Sequence, residues 1–511
     1  MKIVLLQHYS DGGSMRILMV ASEATPLAKT GGLADVVGSL PAALARLGCD
    51  VTLVIPGYRE ALTSDASIEP TGIEFDVPLG QRLVRARVLR YRQSKSHVRI
   101  MLIEQSDYFD RPTLYGGQDD YQDNAERFIF FCRAVLEFAV REDQPYDIVH
   151  CHDWQTGLIP AYLKTLHSPS TVFSNARSVL TIHNMAYQGM FWHWDMLLTG
   201  LHWKYFNWQQ MEFYGQLNLL KTGLVFADAI STVSPSYATE IQHAPGGCSL
   251  EGVVASRKDS LTGIVNGIDL SIWDPRNDSQ LPRFYSDADY QDGKYAARVA
   301  LATRFGHAAP DSRPLVAFVG RFAQQKGVDL IAELLTRQAG SGRAHYSIMG
   351  TGDRGIESQL RSVANAFPGT IDLFIGFDER MAHLVQAAAD IMLVPSRYEP
   401  CGLTQLHAFR YGTIPVVRAT GGLIDTVVDT TPETLRIGSA SGFVFDSVES
   451  SSLEHALSRA LDAHSNRTLW ADLVRLVMAQ DWSWDRSAAE YHSLFEKTLS
   501  RPPVSVALID G

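Results

Sequence analysis

Twice along this chain, short runs of β-branched residues alternate with helical patterns. In the first half, strand patterns fall at 16–21 and 51–55, with a helix from Leu33 between them, and further strands at 147–150 and 179–182. In the second half they fall at 314–319, 345–349, 371–374, 391–394 and 414–417, with a helix near 328–335. Strands alternating with helices are the signature of a parallel sheet wrapped by helices, because a parallel pair needs a long crossover. The fold class is therefore α/β, with two Rossmann-like parallel-sheet domains. A length of 511 residues is too great for one ordinary core and agrees with two or three domains. A polar, Asp/Ser/Pro-rich stretch at 274–311 reads as the hinge. The boundaries are an N-terminal extension at 1–14, a first domain at 15–260, a second at 261–482 including the linker, and a C-terminal helix and tail at 483–511. Pro41 inside the first helix pattern predicts a kink or restart there.

Charge and cysteine usage exclude several functions. The formal net charge is −11, without a Lys/Arg-rich run, so nucleic acid is not an expected partner. The five cysteines, Cys49, Cys132, Cys151, Cys248 and Cys401, are odd in number and include no C-x-x-C pair, which predicts neither a disulfide framework nor a zinc site. A cytoplasmic setting follows. No apolar run reaches the roughly 20 residues of a membrane helix, so no membrane partner is expected. Residues 1–14 read as an upstream extension that does no chemistry, since Met15 precedes a better opening strand.

Open parallel sheets bind ligands at the carboxyl ends of their strands, and the polar and glycine-rich clusters fall there. The first is Lys29-Thr30-Gly31-Gly32-Leu33-Ala34-Asp35-Val36. Its glycines let backbone N–H groups approach an anion, the helix N-terminus adds partial positive charge, and Lys29 adds a full cation. Asp35 suits the first helical turn or sugar hydroxyls; a plain turn with a solvated Lys is the bland alternative. The loop at 22–29 separates this cluster from its strand, which departs from the dinucleotide fingerprint and argues against an oxidoreductase. The second cluster runs from Gly320-Arg321 to Lys326-Gly327, two cations able to grip a diphosphate, or simply two surface charges. The third is Pro395-Ser396-Arg397-Tyr398-Glu399-Pro400-Cys401-Gly402-Leu403. Glu399 sits before a helix whose dipole would keep it ionised, with sugar hydroxyls as partners or helix stabilisation as its whole role. The fourth, Ala419-Thr420-Gly421-Gly422-Leu423, is a second Gly-Gly turn opening a helix. Together the clusters suit a ligand held between two domains.

In this order the motifs resemble the bacterial glycogen synthase and plant starch synthase family. The resemblance extends to His152-Asp153-Trp154, Thr181-Ile182-His183-Asn184, Tyr187-Gln188-Gly189, Ser231-Thr232-Val233-Ser234, Asn266-Gly267-Ile268-Asp269 and Trp484-Asp485, and covers 16–499. It implies the two-domain GT-B fold, with an acceptor-side first domain of the starch synthase catalytic type and a nucleotide-sugar-binding second domain. It implies glucosyl transfer from ADP-glucose to an α-1,4-glucan with retention, in glycogen biosynthesis, without metal or cofactor. Residue by residue, it implies that Lys29, with Gly32 and Asp35 beside it, binds the sugar nucleotide and that Arg321 and Lys326 hold its phosphates. Thr420, Gly421 and Gly422 would support the distal phosphate. Glu399 and His183 would face the transferred glucose, with Asp153 and Asn266 near and Phe377, which taken alone reads as core, against the base. The backbone carbonyl of His183 would face the anomeric carbon during front-face attack by the acceptor's 4-hydroxyl. Domain closure would exclude water. Two departures stand out. His407 occupies the place where the broader retaining group often has a second Glu, and Ser249 the place where the family usually has Gly.

Other features compete for attention. His150-Cys151-His152-Asp153 has a metal-like spacing but no third nearby ligand, and Asp287-Ala288-Asp289 is a D-x-D in the polar stretch. Four of the nine tryptophans lie between Trp192 and Trp208, either core or a platform for glucose rings. The rival functions are an α-glucan phosphorylase, which needs pyridoxal phosphate and a much longer chain, and a non-catalytic glucan-binding protein, which the set Lys29, Arg321, Lys326 and Glu399 argues against.

Overall fold

The computed structural model describes residues 14–64, 67–92, 97–117, 119–307 and 310–505. All of the N-terminal extension except Ser14 lies outside the described residues. The chain forms two compact units, Met1–Ile264 with Trp484–Gly511, and Val265–Ser483.

The first unit is built on the strands β1 (Arg16–Val20), β2 (Asp50–Pro56), β3 (Ile68–Leu79), β4 (Arg82–Tyr91), β5 (Arg99–Glu104), β6 (Ile148–His152) and β7 (Arg177–Ile182). A small antiparallel sheet follows, β8 (Met190–Phe191), β9 (Glu212–Phe213) and β10 (Gln216–Asn218), and then β11 (Ala229–Thr232) and β12 (Leu261–Gly263). The main sheet has the order β12-β11-β7-β6-β1-β2-β5-β4-β3. From β12 to β5 it is parallel. Apart from the short β12, these strands are buried through most of their length, as a sheet covered on both faces requires. At one edge β4 and β3 add in antiparallel fashion. The parallel-sheet reading missed this hairpin, whose β3 strand alternates exposed and buried positions along its second half.

The second unit carries β13 (Leu315–Val319), β14 (His345–Gly350), β15 (Ile371–Ile375), β16 (Ile391–Val394), β17 (Ile414–Arg418) and β18 (Phe443–Phe445), all parallel, in the order β15-β14-β13-β16-β17-β18.

Three expectations are corrected. The helix Gly32–Arg46 runs unbroken through Pro41. Its buried stripe, Leu33, Val36, Val37, Leu40, Ala43 and Leu44, holds it to the sheet and outweighs the bond lost at the proline. The stretch 274–311 is not a hinge but part of the second unit. Asp274 and Asp278 are buried, Tyr285 and Leu301 enter the second core, and Tyr290–Arg304 is a helix. The chain passes between units at 264–265 and 483–484 instead, so β12, at 261–263, belongs to the first unit. The last helix, Trp484–Leu499, returns to that unit, where Trp484, Ala488, Tyr491 and Phe495 join its core and Asp485 pairs with Arg46 at 2.5 Å.

Candidate functional site

Each sheet has one place where the strand order reverses, and there the loops part and leave a crevice. In the first unit it lies between β1 and β6; in the second, between β13 and β16. The loops leaving these four strands carry most of the residues singled out from sequence.

After β13 comes the loop 320–327, and after β16 the loop 395–403. Lys326 Nζ donates to Glu399 Oε2 at 2.6 Å, and Ser396 Oγ donates to the same oxygen at 2.8 Å. Glu399 is 6% exposed. The helix after it begins only at Thr404, so the expected dipole partner is replaced by a full cation and a hydroxyl. Arg397 clamps the two loops. Its guanidinium is bidentate on Asp329 at 2.7 and 2.6 Å and also donates to the Gln324 carbonyl. Its own N–H donates to the Gln325 carbonyl at 2.8 Å. Arg321 is exposed and donates to Gln325 Oε1 at 3.0 Å. Gly327 has φ +67° and a built Cβ would lie 2.1 Å from the Pro395 carbonyl oxygen, so only glycine lets the loops meet. Arg397 received no role from the sequence because its side-chain partners Gln324 and Asp329 stand 73 and 68 positions away. Ser396 lies three residues from Glu399, within the quoted cluster, but no local signal marks its bond.

The turn after β17 joins them. The Gly422 N–H donates to the Glu399 carbonyl at 3.0 Å, and a Cβ on Gly422 would strike the Cys401 carbonyl oxygen at 2.3 Å. Thr420 is buried beside it. Asn266 is buried, its N–H donates to Cys401 Sγ, and its Oδ1 has no partner among the described residues. Phe377 follows β15 and is 80% exposed, not core. His407 stacks on Trp273 with centroids 3.9 Å apart, and His383 covers the other face at 3.7 Å.

In the first unit, Asp153 follows β6 with φ +56°, a strained conformation for a residue with a Cβ. Its Oδ1 accepts the His183 N–H at 2.7 Å. Burial, helped by the charge of Glu23, pushes the Asp153 carboxyl up to about 7 against the bonds from the His183 and Asn184 amides. His183 Nε2 meets His152 Nδ1 at 3.0 Å, and His150 Nε2 meets Thr181 Oγ1 at 2.7 Å. Burial lowers His150 and His183 to about 3 and His152 well below its ordinary range. The imidazoles are therefore neutral hydrogen-bonding groups of the strand ends. Among the described residues, no group of three or more His, Cys, Asp or Glu is placed to hold a metal.

After β1, Lys29 Nζ pairs with Asp35 Oδ1 at 2.6 Å, both partly exposed. Gly32 opens the helix. The turn amides were expected to stand free for an anion. Instead, those of Thr30 and Gly31 donate to Glu23 Oε2, at 2.6 and 3.4 Å. A Cβ on Gly31 would meet nothing within 4 Å, so no internal contact demands glycine there. Glu23 lies seven residues from Thr30 and carries no motif signal. Ser249 and Cys248 have φ +69° and +50° and line an open depression of about 560 Å³ with Gln188, Gly189 and Tyr214. Trp192, Trp194, Trp203 and Trp208 are all exposed, with Trp194 and Trp203 centroids 5.7 Å apart and Phe206 stacked on Trp203 at 5.2 Å. Core packing does not explain them.

Residues 16–256 match the starch synthase catalytic domain family model, and 301–472 match the glycosyl transferases group 1 model. The chain is 42% identical over 498 residues to the glycogen synthase of Rhodopirellula baltica, covering 95% of this chain and 98% of that protein. It is 41% identical over 497 residues to the glycogen synthase of Thermodesulfovibrio yellowstonii, covering 94% and 97%. Among solved structures, the catalytic domain of starch synthase IV from Arabidopsis thaliana bound to ADP and acarbose superposes with a TM-score of 0.88 at 31% identity, covering 96% of this chain and 100% of that one. Sucrose-phosphate synthase from Thermosynechococcus elongatus, at 18% identity and a TM-score of 0.60 over 94% of this chain and 98% of that one, shares the fold.

Proposed function

This chain belongs to the glycogen and starch synthase family, and from that premise we propose how it transfers glucose from ADP-glucose to the non-reducing end of an α-1,4-glucan, with retention at the anomeric carbon, in glycogen biosynthesis. One observation carries the reading: a buried carboxylate, Glu399, is held by Lys326 and Ser396 at the strand-order reversal of the second sheet, with the Gly421-Gly422 turn bonded to its own carbonyl. A carboxylate already bound on one oxygen by a lysine and a serine is poorly suited to attack carbon. It is well suited to accept hydrogen bonds from glucose hydroxyls and to offset positive charge on the ring.

Departure of ADP builds negative charge on the diphosphate. Arg321 and Lys326 stabilise it as it forms, with the Gly421 turn and Thr420 beside the distal phosphate, so catalysis is chiefly electrostatic. The Gly422 N–H, expected to serve the phosphate, is held by the Glu399 carbonyl instead. Phe377, exposed after β15, stacks on the adenine. From the first unit, Lys29 with Gly32 and Asp35 contributes to the donor, and the open space at Gly31 leaves room for it. The His183 backbone carbonyl faces the anomeric carbon, with Asp153 fixing that peptide through its N–H and Asn266 near the sugar. The acceptor's 4-hydroxyl attacks from the side the ADP leaves, which retains configuration. The exposed Trp192, Trp194 and Trp203 rings offer flat apolar faces to the glucan chain. No metal or cofactor enters this scheme. We place the reaction in the cytoplasm, a setting suited to five unpaired cysteines.

The test is incorporation of labelled glucose into glycogen, with ADP-glucose and UDP-glucose compared, in the presence and absence of a chelator. Transfer from ADP-glucose that survives chelation supports the scheme. Absence of transfer from either donor, or loss on chelation, overturns it.

A further inference from the structure

The loop that carries Lys29 is closed by an internal carboxylate. It leaves β1, turns back on itself through the Ala24–Ala28 backbone pair, with N–H to carbonyl distances of 3.1 and 3.0 Å, and ends at the helix Gly32–Arg46. Glu23 sits at its start, 3% exposed. Four donors converge on its two oxygens. The Thr30 N–H reaches Oε2 at 2.6 Å and the Gly31 N–H reaches it at 3.4 Å, while the Thr30 hydroxyl reaches Oε1 at 2.7 Å and the Tyr115 hydroxyl at 2.6 Å. Tyr115 is anchored in turn, since its hydroxyl also bonds Ser22 and its carbonyl accepts from Asn124 Nδ2 at 2.8 Å.

This arrangement has two consequences. The Thr30 and Gly31 amides already hold an anion, so a diphosphate gains little from those two. What the loop offers a donor is then the Lys29 side chain, whose backbone lies one residue from the Thr30 bonds. Lys29 is held on its other side by Asp35 at 2.6 Å, and Asp35 accepts from Thr25 Oγ1 at 3.3 Å within the same loop. A lysine on a floppy loop would lose orientation entropy on binding, and a closed loop removes that cost beforehand.

We propose that Glu23 is a positioning residue that fixes the Lys29 loop for the sugar-nucleotide donor. It touches no reacting atom and acts through the Thr30 and Gly31 backbone. Replacement by the isosteric amide leaves one good acceptor and puts an N–H₂ where either two hydroxyls or two backbone amides already donate. The inference rests on the proposed donor role of Lys29.

The experiment measures initial rates with ADP-glucose and glycogen for wild type, Glu23→Gln, Thr30→Val, Lys29→Gln and the double variant Glu23→Gln/Lys29→Gln, alongside thermal unfolding of each. Wild-type transfer and a weakened Lys29→Gln test the reading of function by themselves. For the inference, Glu23→Gln should raise the KM for ADP-glucose about tenfold, as loss of one charge-assisted bond would, with a smaller change in kcat. Thr30→Val, which removes only the hydroxyl donor, should shift KM in the same direction by less. In the Lys29→Gln background, Glu23→Gln should add less than about twofold, because the two act as one unit. Wild-type KM in Glu23→Gln overturns the proposal, and so does an equal effect with and without Lys29. If Glu23→Gln does not fold, a wild-type KM in Thr30→Val overturns it.

Discussion

Lys326 Nζ lies 2.6 Å from Glu399 Oε2 in a carboxylate site that is 6% exposed. The two residues are 73 positions apart and leave adjacent strands, β13 and β16. In the proposed scheme the pair would link the positive charge needed at the leaving phosphate to the negative charge needed beside the sugar. Each offsets the charge of the other in a place where a lone charge would be costly.

Glu399→Ala should therefore abolish most activity by removing the sugar contact and leaving Lys326 unpaired. Glu399→Gln should lose less, because its amide oxygen still accepts from Lys326 and Ser396. The difference should be about 1.5–3 kcal/mol in kcat/KM, as for a hydrogen bond to a charged group. No hexose should become attached to Glu399 when ADP-glucose is given without acceptor. Peptide mass spectrometry after rapid quench reads this directly, and a stable adduct would contradict front-face attack.

Phe377→Ala should raise the KM for ADP-glucose by an amount equivalent to about 1–3 kcal/mol, the worth of a base stacked on an aromatic ring. The ring is 80% exposed, so stability should hardly change. Kinetics and unfolding measured on the same preparation separate the two effects. An unchanged KM removes Phe377 from the base site.

Asp153 should give activity an acid limb. Its carboxyl stands at about 7, raised chiefly by burial, and protonation weakens its hold on the His183 N–H. kcat/KM should fall as pH drops through about 7, and Asp153→Asn should be slower and flatter across that range. Stability runs by a different sum. Asp153 in the folded state lies above its ordinary 3.8, so the folded protein binds more protons between about 4 and 7, and this group loses stability as pH rises there. His150 and His183, lowered to about 3 from 6.5, do the opposite: the unfolded chain binds more protons, and stability falls as pH drops below 6.5. Three histidines, His152 included, outweigh one aspartate, so the net effect is a loss of stability as pH drops below 6.5. Urea midpoints measured from pH 7 to pH 5 check the sign.

Ser249→Gly should stabilise the protein. Ser249 sits at φ +69°, where a Cβ costs about 1–2 kcal/mol, and glycine's extra unfolded freedom returns only part of that gain. A net gain of about 1 kcal/mol should appear as a higher denaturation midpoint. A lower midpoint would mean that the serine hydroxyl makes up for the strain.

How much of this was legible in the sequence depends on how local each signal is. The strands at 391–394 and 414–417 were readable to within a residue, because a continuous apolar run between polar turns is a property of neighbouring residues. The positions of Lys29, Arg321, Lys326, Glu399 and Gly421 followed from the rule that parallel strands end in loops at one edge. The tryptophans 192–208 were readable as a cluster but not as an exposed one, since exposure depends on what the fold lays over them. Likewise Phe377 taken alone reads as core and stands 80% exposed.

The sequence by itself determined the alternation of strand and helix, the two-sheet class and the family, because periodicity and motif order are written in consecutive residues. Tertiary structure alone decided which charge meets which. It paired Lys326 with Glu399, seated Glu23 under Thr30 and Gly31, and carried Trp484–Leu499 back to the first unit. It also drew 274–311, polar in composition, into the second unit by burying Asp274 against Arg410 at 2.6 Å and Asp278 against His383 at 2.8 Å. Charge pairing acts over a few ångströms of space, and only the packed chain brings residues far apart in sequence within that reach.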